Sequence, residues 1–463
     1  MERLTLGEIL QAVDGTLLGQ ADDLSITVDS VSTDSRKIRE GALFVPLTGE
    51  RFDGHAYINM ALEAGAAGCF TARERDSYLP GKFYIKVASP LRALRDLAAY
   101  YRTKFDIPVI GITGSVGKTT TKDMVAAVLG TKYNVLKTEG NFNSREGMPL
   151  TLLRLNSSHE IAVIEMGMSQ AGEIDYLSKA ACPDVAVITN IGDAHVENLG
   201  SRENILKAKC EIFNHLKPDG LAILNGDDEL LNTLRDALPF SRVFCGYEDG
   251  CDYQACDVHT DDAGHIICRA KTPEGDYGME IPALGRHMAY PALMAAAVGE
   301  RFGLTREEIS QGILQFAPTK MRMDVIHRGG NITILNDTYN ANPQSMRAAI
   351  GVLGDSKAPF KMAVLGDMFE LGSLAPVLHA GVGEYLGRAG IDCLVAVGEL
   401  AEHIADAAQK AGVPMVFRCP DKGAAIPVLK DNLRPDSTVL VKASRGMAME
   451  ELVDYLKRIT SEA

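Results

Sequence analysis

Ile107-Pro108-Val109-Ile110-Gly111-Ile112-Thr113-Gly114-Ser115-Val116-Gly117-Lys118-Thr119-Thr120 reads as an apolar strand, a glycine-rich turn and a helix opening at Lys118. Gly114 and Gly117 let the backbone curl until successive N–H groups point inward at phosphate oxygens. The helix N-terminus adds the positive end of its dipole. Lys118 can then reach the β- and γ-phosphates of a nucleotide, and the Thr119 hydroxyl can ligate magnesium. The spacing departs from the common G-x-x-x-x-G-K-[ST] form, because the first glycine would fall at Ile112 while Gly111 lies one position early. Strand, turn, Lys-Thr and helix still come in the required order. Thr113, Gly114, Ser115, Val116, Gly117, Lys118 and Thr119 are therefore the expected nucleotide grip. A switch or a motor would use the same grip, so the loop alone selects no reaction.

Working outward, short β-rich runs alternate with amphipathic segments, the pattern of a parallel sheet covered by helices. Strands are expected at 107–112, 161–166, 185–191, 221–224 and 242–245, with helices at 119–129, 172–180 and 202–216. A second series has strands at 332–336, 361–365, 393–397, 415–417 and 438–441, and helices at 345–353, 375–387, 400–411 and 449–458. The break falls near Pro318-Thr319-Lys320, after helical stretches at 292–302 and 306–315. The first 85 residues are shorter and mixed in pattern. The fold class is α/β with three domains: a small mixed module at 1–85, a central P-loop parallel-sheet domain at 86–317, and a C-terminal Rossmann-like domain at 318–463. A length of 463 residues fits that division.

With 61 acids against 47 bases the formal charge is −14, which excludes a general nucleic-acid binder, since no broad basic surface is supplied. Any anionic ligand must be held by helix N-termini and a few placed cations. The nine cysteines are odd in number and irregularly spaced, which fits a reducing compartment better than a disulfide framework. No apolar core of a signal peptide follows Met1, and no apolar run approaches the roughly 20 residues of a membrane span, so a cytoplasmic protein is expected. Cys245, Cys251, Cys256, His259, His265 and Cys268 lie close together, but the tight pairs of a structural zinc site are missing. Turns at Glu248-Asp249-Gly250 and Asp261-Asp262-Ala263-Gly264 make hairpins with small buried side chains the better reading.

Bringing a carboxylate to a triphosphate would require metal ions and lysines to cancel the repulsion before an oxygen can attack phosphorus in line. Metal ligands should then stand at the carboxyl ends of strands beside the loop, where open α/β sheets bind ligands. Glu165 ends the run Ile161-Ala162-Val163-Ile164, and is either such a ligand or a solvated turn residue. His195, in Asn190-Ile191-Gly192-Asp193-Ala194-His195, follows the next strand and can offer a neutral imidazole. Lys207 and Lys209 sit on an amphipathic helix, where each taken singly reads as a solvated face residue.

The phosphate loop, Glu165-Met166-Gly167, the 190–195 segment and Ala208-Lys209-Cys210-Glu211-Ile212 together resemble the Mur ligases, which extend the peptide of a cell-wall precursor. The resemblance spans nearly the whole chain. It implies an ATP-dependent amide ligase of peptidoglycan synthesis, working through an acyl phosphate with ATP and Mg2+ as cofactors. It also implies that Glu165 and His195 help bind magnesium and that Lys209 is a carbamate, an anionic ligand for a second magnesium. Asn141-Phe142-Asn143, the run Met148 to Leu153, Asn336-Asp337-Thr338-Tyr339-Asn340-Ala341-Asn342-Pro343-Gln344-Ser345-Met346 and Leu365-Gly366-Asp367-Met368-Phe369-Glu370-Leu371-Gly372 resemble the member that adds D-alanyl-D-alanine to a UDP-linked muramoyl tripeptide. Thr33-Asp34-Ser35-Arg36 and Gly49-Glu50-Arg51-Phe52-Asp53-Gly54-His55 resemble the family's UDP-sugar segments, which makes the first domain a substrate-binding module. By the same resemblance Asp337 and Asn340 contact nucleotide, Lys442-Ala443-Ser444-Arg445 stands where the family has Lys-Gly-Ser-Arg, and Arg322 lies near the phosphates. The implied C-terminal domain receives the incoming amine.

Two departures bear on the nucleotide. Gly285-Arg286-His287 continues Met288-Ala289-Tyr290-Pro291, where the family pattern has asparagines at 288 and 291, the second contacting adenine. Ser144-Arg145-Glu146 replaces the more usual Asn-Gln-Ile. The expected protein is a monomer that ligates; a sister ligase using another amine, folyl-polyglutamate ligases included, and a nucleotide-dependent switch are the two rivals.

Overall fold

The structure is a computed structural model describing residues 1–19, 23–49, 52–262 and 264–461. At its centre, Val109–Thr113 is buried on both faces: Val109 points into one core, while Ile110 and Ile112 point into another. The period of two in side-chain direction makes a strand of this kind apolar throughout. It pairs in parallel with Ile161–Glu165 on one side and Val185–Ile188 on the other. Outward from these lie Val135–Lys137 at one edge and, on the other side, Leu221–Asn225, Ser241–Gly246 and Tyr253–Thr260, all parallel to their neighbours. Ile266–Lys271 and Tyr277–Ile281 then extend the same nine-stranded sheet as antiparallel hairpins. The chain visits the two sides of Val109–Thr113 in turn, so its carboxyl end is the point where the strand order reverses and a crevice opens.

Lys118–Leu129 packs with Ala289–Arg301 and Arg306–Leu314 on one face, and Pro90–Arg102 packs with Glu173–Ala181 on the other. The helix start at Pro90 is fixed by the Ser89 cap and by proline at the first turn; that at Arg306 is fixed by the Thr305–Glu308 capping box.

Residues 1–86 carry a five-stranded sheet in the order Thr16–Leu18, Phe83–Lys86, Gly68–Thr71, Leu43–Phe44, Val31–Ser32, with a small two-stranded pair beside it. The C-terminal sheet is ordered Asp324–Arg328, Ile332–Asn336, Ser437–Lys442, Phe360–Gly366, Cys393–Val397, Met415–Cys419, parallel except for its first strand. That edge strand and the helix Lys422–Asn432 have no counterpart in the sequence reading. Pro427 lies inside the helix and obscures its pattern. The helix expected over 202–216 divides into Arg202–Cys210 and a 3₁₀ segment Glu211–His215, and the strand expected over 185–191 stops at Ile188, freeing 189–192 to form a loop.

All nine cysteines are free. Among the described residues the metal-sized cluster of the hairpin region, Asp261, His265 and Glu280, contains none of them, in keeping with the hairpin reading.

Candidate active site

Gly114 has φ +147°, and a Cβ there would stand 1.9 Å from Thr189 Oγ1, so only glycine lets the loop pass this close to the neighbouring strand end. Gly117, at φ +82°, opens the helix Lys118–Leu129 without any side-chain cap. The first amides of that helix are thus left for an anion. The loop is held from the side: Ser115 N donates to Asn190 O (3.0 Å), Val116 N to Asn190 Oδ1 (2.9 Å) and Gly192 N to Ser115 Oγ (2.8 Å). Lys118 folds back so that Nζ donates to Gly114 O at 2.8 Å. Removal from water lowers its pKa; Glu165 nearby opposes that shift and Arg322 adds to it.

Glu165 and Thr119 meet because the strands ending at 165 and 113 are adjacent in register. Thr119 Oγ1 donates to Glu165 Oε2 (3.0 Å), and Asn143 Nδ2 donates to Oε1 (2.7 Å). The Glu165 side chain is 1% exposed, and among the described residues it forms no ion pair. A buried carboxylate beside a hydroxyl, with no cation of its own, suits an oxygen-preferring divalent ion such as magnesium. His195, also on the cavity wall, has its Nδ1 2.6 Å from Glu370 Oε2. Lys209 corrects the solvated-face reading: it is 1% exposed, whereas Lys207 is exposed as expected. Burial, with the Lys118 charge adding to it, holds the Lys209 ammonium's pKa well below the usual lysine range.

The opposite wall comes from the C-terminal sheet. One cavity of about 1430 Å³ is lined by 115–119, Asn141, Asn143, Glu165 and His195 together with Arg322, Asp337, Asn340 and Lys442. Lys442 Nζ lies 2.6 Å from Asp337 Oδ2 and donates to Asn340 O (2.8 Å). Arg322 lies 4.1 Å over the Tyr339 ring, and its buried Nε has no hydrogen-bond partner. Arg322 is flanked by Met321 and Met323, both at positive φ, in the segment joining the two sheets. Thr319 in that segment donates to Asp123 Oδ2 (2.7 Å), a buried carboxylate on the phosphate-loop helix that also takes Lys137 Nζ (2.7 Å). Thr319→Val should therefore slow turnover about tenfold by loosening Arg322 while leaving ATP binding intact. Comparing single-turnover rates with ATP affinity checks this, and loss of both together would contradict it.

The remaining sequence candidates lie elsewhere. Asp34, Ser35, Arg36, Asp53, Gly54 and His55 are not on the cavity wall, and Arg51 lies outside the described residues. Asp34 is occupied by Arg36, whose Nε and Nη2 each donate at 2.9 Å. Both ring nitrogens of His55 are engaged within its own domain: Nδ1 meets Asp53 Oδ1 at 2.7 Å and Nε2 accepts from Ala72 N at 3.0 Å. Lys209, Ser444 and Arg445 are also off the wall; Arg445 pairs with Glu450 at 2.9 Å. The sequence reading missed Asp227, which accepts from Tyr290 Oη (2.8 Å), Tyr247 N (2.7 Å) and Glu248 N (3.0 Å). Asp227, Tyr290, Met288 and Pro291 line the cavity beyond the phosphate loop. The signal available for Asp227 was its place just after the strand Leu221–Asn225.

Three domain families match in sequence: Mur ligase family, catalytic domain, over 27–102; Mur ligase middle domain over 112–299; and Mur ligase, glutamate ligase domain, over 321–445. The chain is 42% identical to the UDP-N-acetylmuramoyl-tripeptide–D-alanyl-D-alanine ligase of Bacillus subtilis, covering 98% of this chain and 99% of that one. It superposes on MurF from Acinetobacter baumannii with a TM-score of 0.90 at 32% identity, covering 98% and 99% of the two chains. Against the MurF ligase of Thermotoga maritima, solved in complex with ADP, the TM-score is 0.83 at 30% identity, covering 93% and 97%. With the phosphate loop, Glu165 and the C-terminal wall gathered on one cavity, and relatives that match over nearly their whole length, this chain belongs to the Mur ligase family.

Proposed function

We propose that the chain is an ATP-dependent ligase that adds D-alanyl-D-alanine to UDP-N-acetylmuramoyl-tripeptide, a step of peptidoglycan precursor synthesis. The observation that carries this reading is the single cavity on which the phosphate loop and Glu165 face Arg322, Asp337 and Lys442. A switch has no need of that second wall. The Bacillus subtilis relative acts on the same substrates by name.

Lys118 and the free amides of its helix take the terminal phosphates of ATP, and Arg322 approaches from the far side. Thr119, Glu165 and His195 would hold Mg2+, which supplies charge neutralisation between the triphosphate and the incoming carboxylate. The tripeptide carboxylate oxygen attacks the γ-phosphorus in line and ADP leaves, giving an acyl phosphate. The amine of the dipeptide then attacks the acyl carbon; the tetrahedral intermediate expels inorganic phosphate and the amine loses a proton. The C-terminal wall excludes water, which would otherwise hydrolyse the acyl phosphate.

Burial lowers the pKa of Lys209 well below the usual lysine range and so favours the free lone pair that adds carbon dioxide with loss of a proton, which supports its assignment as a carbamate. The 1–85 module is assigned to the UDP-sugar, and the 86–317 and 318–463 regions to ATP and to the incoming amine. No helix among the described residues is long and apolar enough to cross a membrane. A monomer in the cytoplasm, where ATP and free thiols coexist, fits this use.

Mass analysis of a reaction with ATP, UDP-N-acetylmuramoyl-tripeptide and D-alanyl-D-alanine tests the proposal. The product should be the tripeptide nucleotide plus the dipeptide less one water, with ADP formed in equal amount. ADP release that needs no amine, or that is faster with free amino acids than with the dipeptide, would overturn it in favour of a switch or a sister ligase.

A further inference from the structure

In the strand order of the central sheet, Asp227 follows Leu221–Asn225, two strands to one side of the strand that feeds the phosphate loop. Residues 141–146 follow Val135–Lys137, two strands to the opposite side. Glu165 stands between the loop and that second side, taking Thr119 on one oxygen and Asn143 on the other. An acceptor that attacks the γ-phosphorus in line, opposite the leaving ADP, therefore comes in over 141–146. The first module joins on this side: the helix Pro90–Arg102, which follows it, packs on both Gly147–Leu152 and Glu173–Ala181.

Arg145 lines the cavity here and is half exposed. Ser144 Oγ accepts from Glu146 N (3.3 Å) and Gly147 N (3.2 Å) and donates to Glu146 Oε2 (2.7 Å), which closes a turn that includes Arg145. Beside it, Glu173 Oε2 accepts from Ser169 N (2.7 Å) and Gln170 N (3.2 Å), while Oε1 lies 3.3 Å from Arg145 Nε. Among the described residues that is the guanidinium's one ion pair, and it donates no hydrogen bond, although it carries five N–H groups. Arg145 is also the one Lys or Arg in 141–146 and 167–173, a stretch of wall that otherwise carries Glu146, Glu165 and Glu173. Three carboxylates repel an anionic peptide, and an arginine steered by one of them reverses this at a single point.

We propose that Arg145 is a specificity-determining residue for the acceptor: its guanidinium grips a second free carboxylate of the peptide, distinct from the one that is activated. A planar fork matches a carboxylate through two parallel N–H donors, so it fixes the peptide's register as well as its charge. The carboxyl to be activated is then set down beside Glu165 and the γ-phosphate, with the sugar nucleotide reaching back toward the first module. The inference rests on the ligase reading above.

The test titrates UDP-N-acetylmuramoyl-tripeptides into the full chain, saturated with a non-hydrolysable ATP analogue and Mg2+, and reads Kd by calorimetry. The peptides carry glutamate or its amide at the second position and diaminopimelate or lysine at the third, so that each further carboxylate is present or absent in turn. The parent should bind one acid form about tenfold more tightly than its uncharged counterpart, and the position of that preference identifies the carboxylate. Arg145→Met should bind both forms as weakly as the parent binds the uncharged one. Affinity for the ATP analogue and the thermal unfolding midpoint should stay unchanged, because the side chain is half exposed. A methionine variant that keeps the preference, or that weakens all four peptides alike, would overturn the inference, as would a parent without any preference. A parent that shows the preference but forms no ligated product with D-alanyl-D-alanine and ATP would sink the ligase reading alone.

Discussion

Lys118→Ala should reduce ADP release by about 10³-fold or more, the loss expected when a cation aimed at transferring phosphate is removed from an enclosed site. Lys118 is the one cation in the 113–119 loop, and nothing else on that loop can follow charge from the β- to the γ-phosphate. Its Nζ already lies against Gly114 O, poised over the curl of the loop. Lys118→Arg should fail as well, because a planar fork cannot replace a compact ammonium here. Folding should survive both changes, so circular dichroism separates a chemical loss from a structural one. ADP release in the alanine variant within tenfold of the parent would remove the central assignment.

Lys209→Met should act in opposite directions on activity and stability. Catalysis should fall about 10²-fold or more with loss of the proposed carbamate ligand. The ligand-free protein should gain roughly 1–3 kcal/mol, because a buried amine with no ion-pair partner among the described residues gives way to an apolar side chain of similar length. Burial lowers the folded-state pKa, so between that value and the unfolded value of about 10.4 the unfolded chain binds more protons. The parent therefore loses stability as pH falls through this window and loses no more once below the folded pKa. The methionine variant lacks that slope, and its advantage should grow from pH 9 to pH 7. Chemical denaturation at the two pH values measures it; a variant less stable than the parent at pH 7 would show that Lys209 is charged and paired in solution.

The sequence by itself determined what local pattern controls. The strand before the loop, the two positive-φ glycines and the helix at Lys118 follow from consecutive residues, and the structure has them in that order, with the strand at Val109–Thr113 rather than the expected 107–112. The alternation of buried strands and amphipathic helices likewise fixed an α/β class, because periods of 2 and 3.6 are properties of neighbouring residues. The edge strand Asp324–Arg328 escaped because three of its five residues are polar and none of the five is buried. The family resemblance named the position of Lys209, but its burial escaped because a helix pattern does not say which polar residue turns inward.

Tertiary structure alone decided which polar groups meet. Thr119 reaches Glu165 across 46 positions through strand register, Lys442 reaches Asp337 across 105, and Thr319 reaches Asp123 across 196. It also took His55 and Ser444 away from direct ligand contact with the cavity and gave them neighbours to hold instead. Side chains in loops carry no periodicity, so their partners are set by how sheets and domains pack, and that packing is written in the sum of many buried apolar contacts rather than in any one segment.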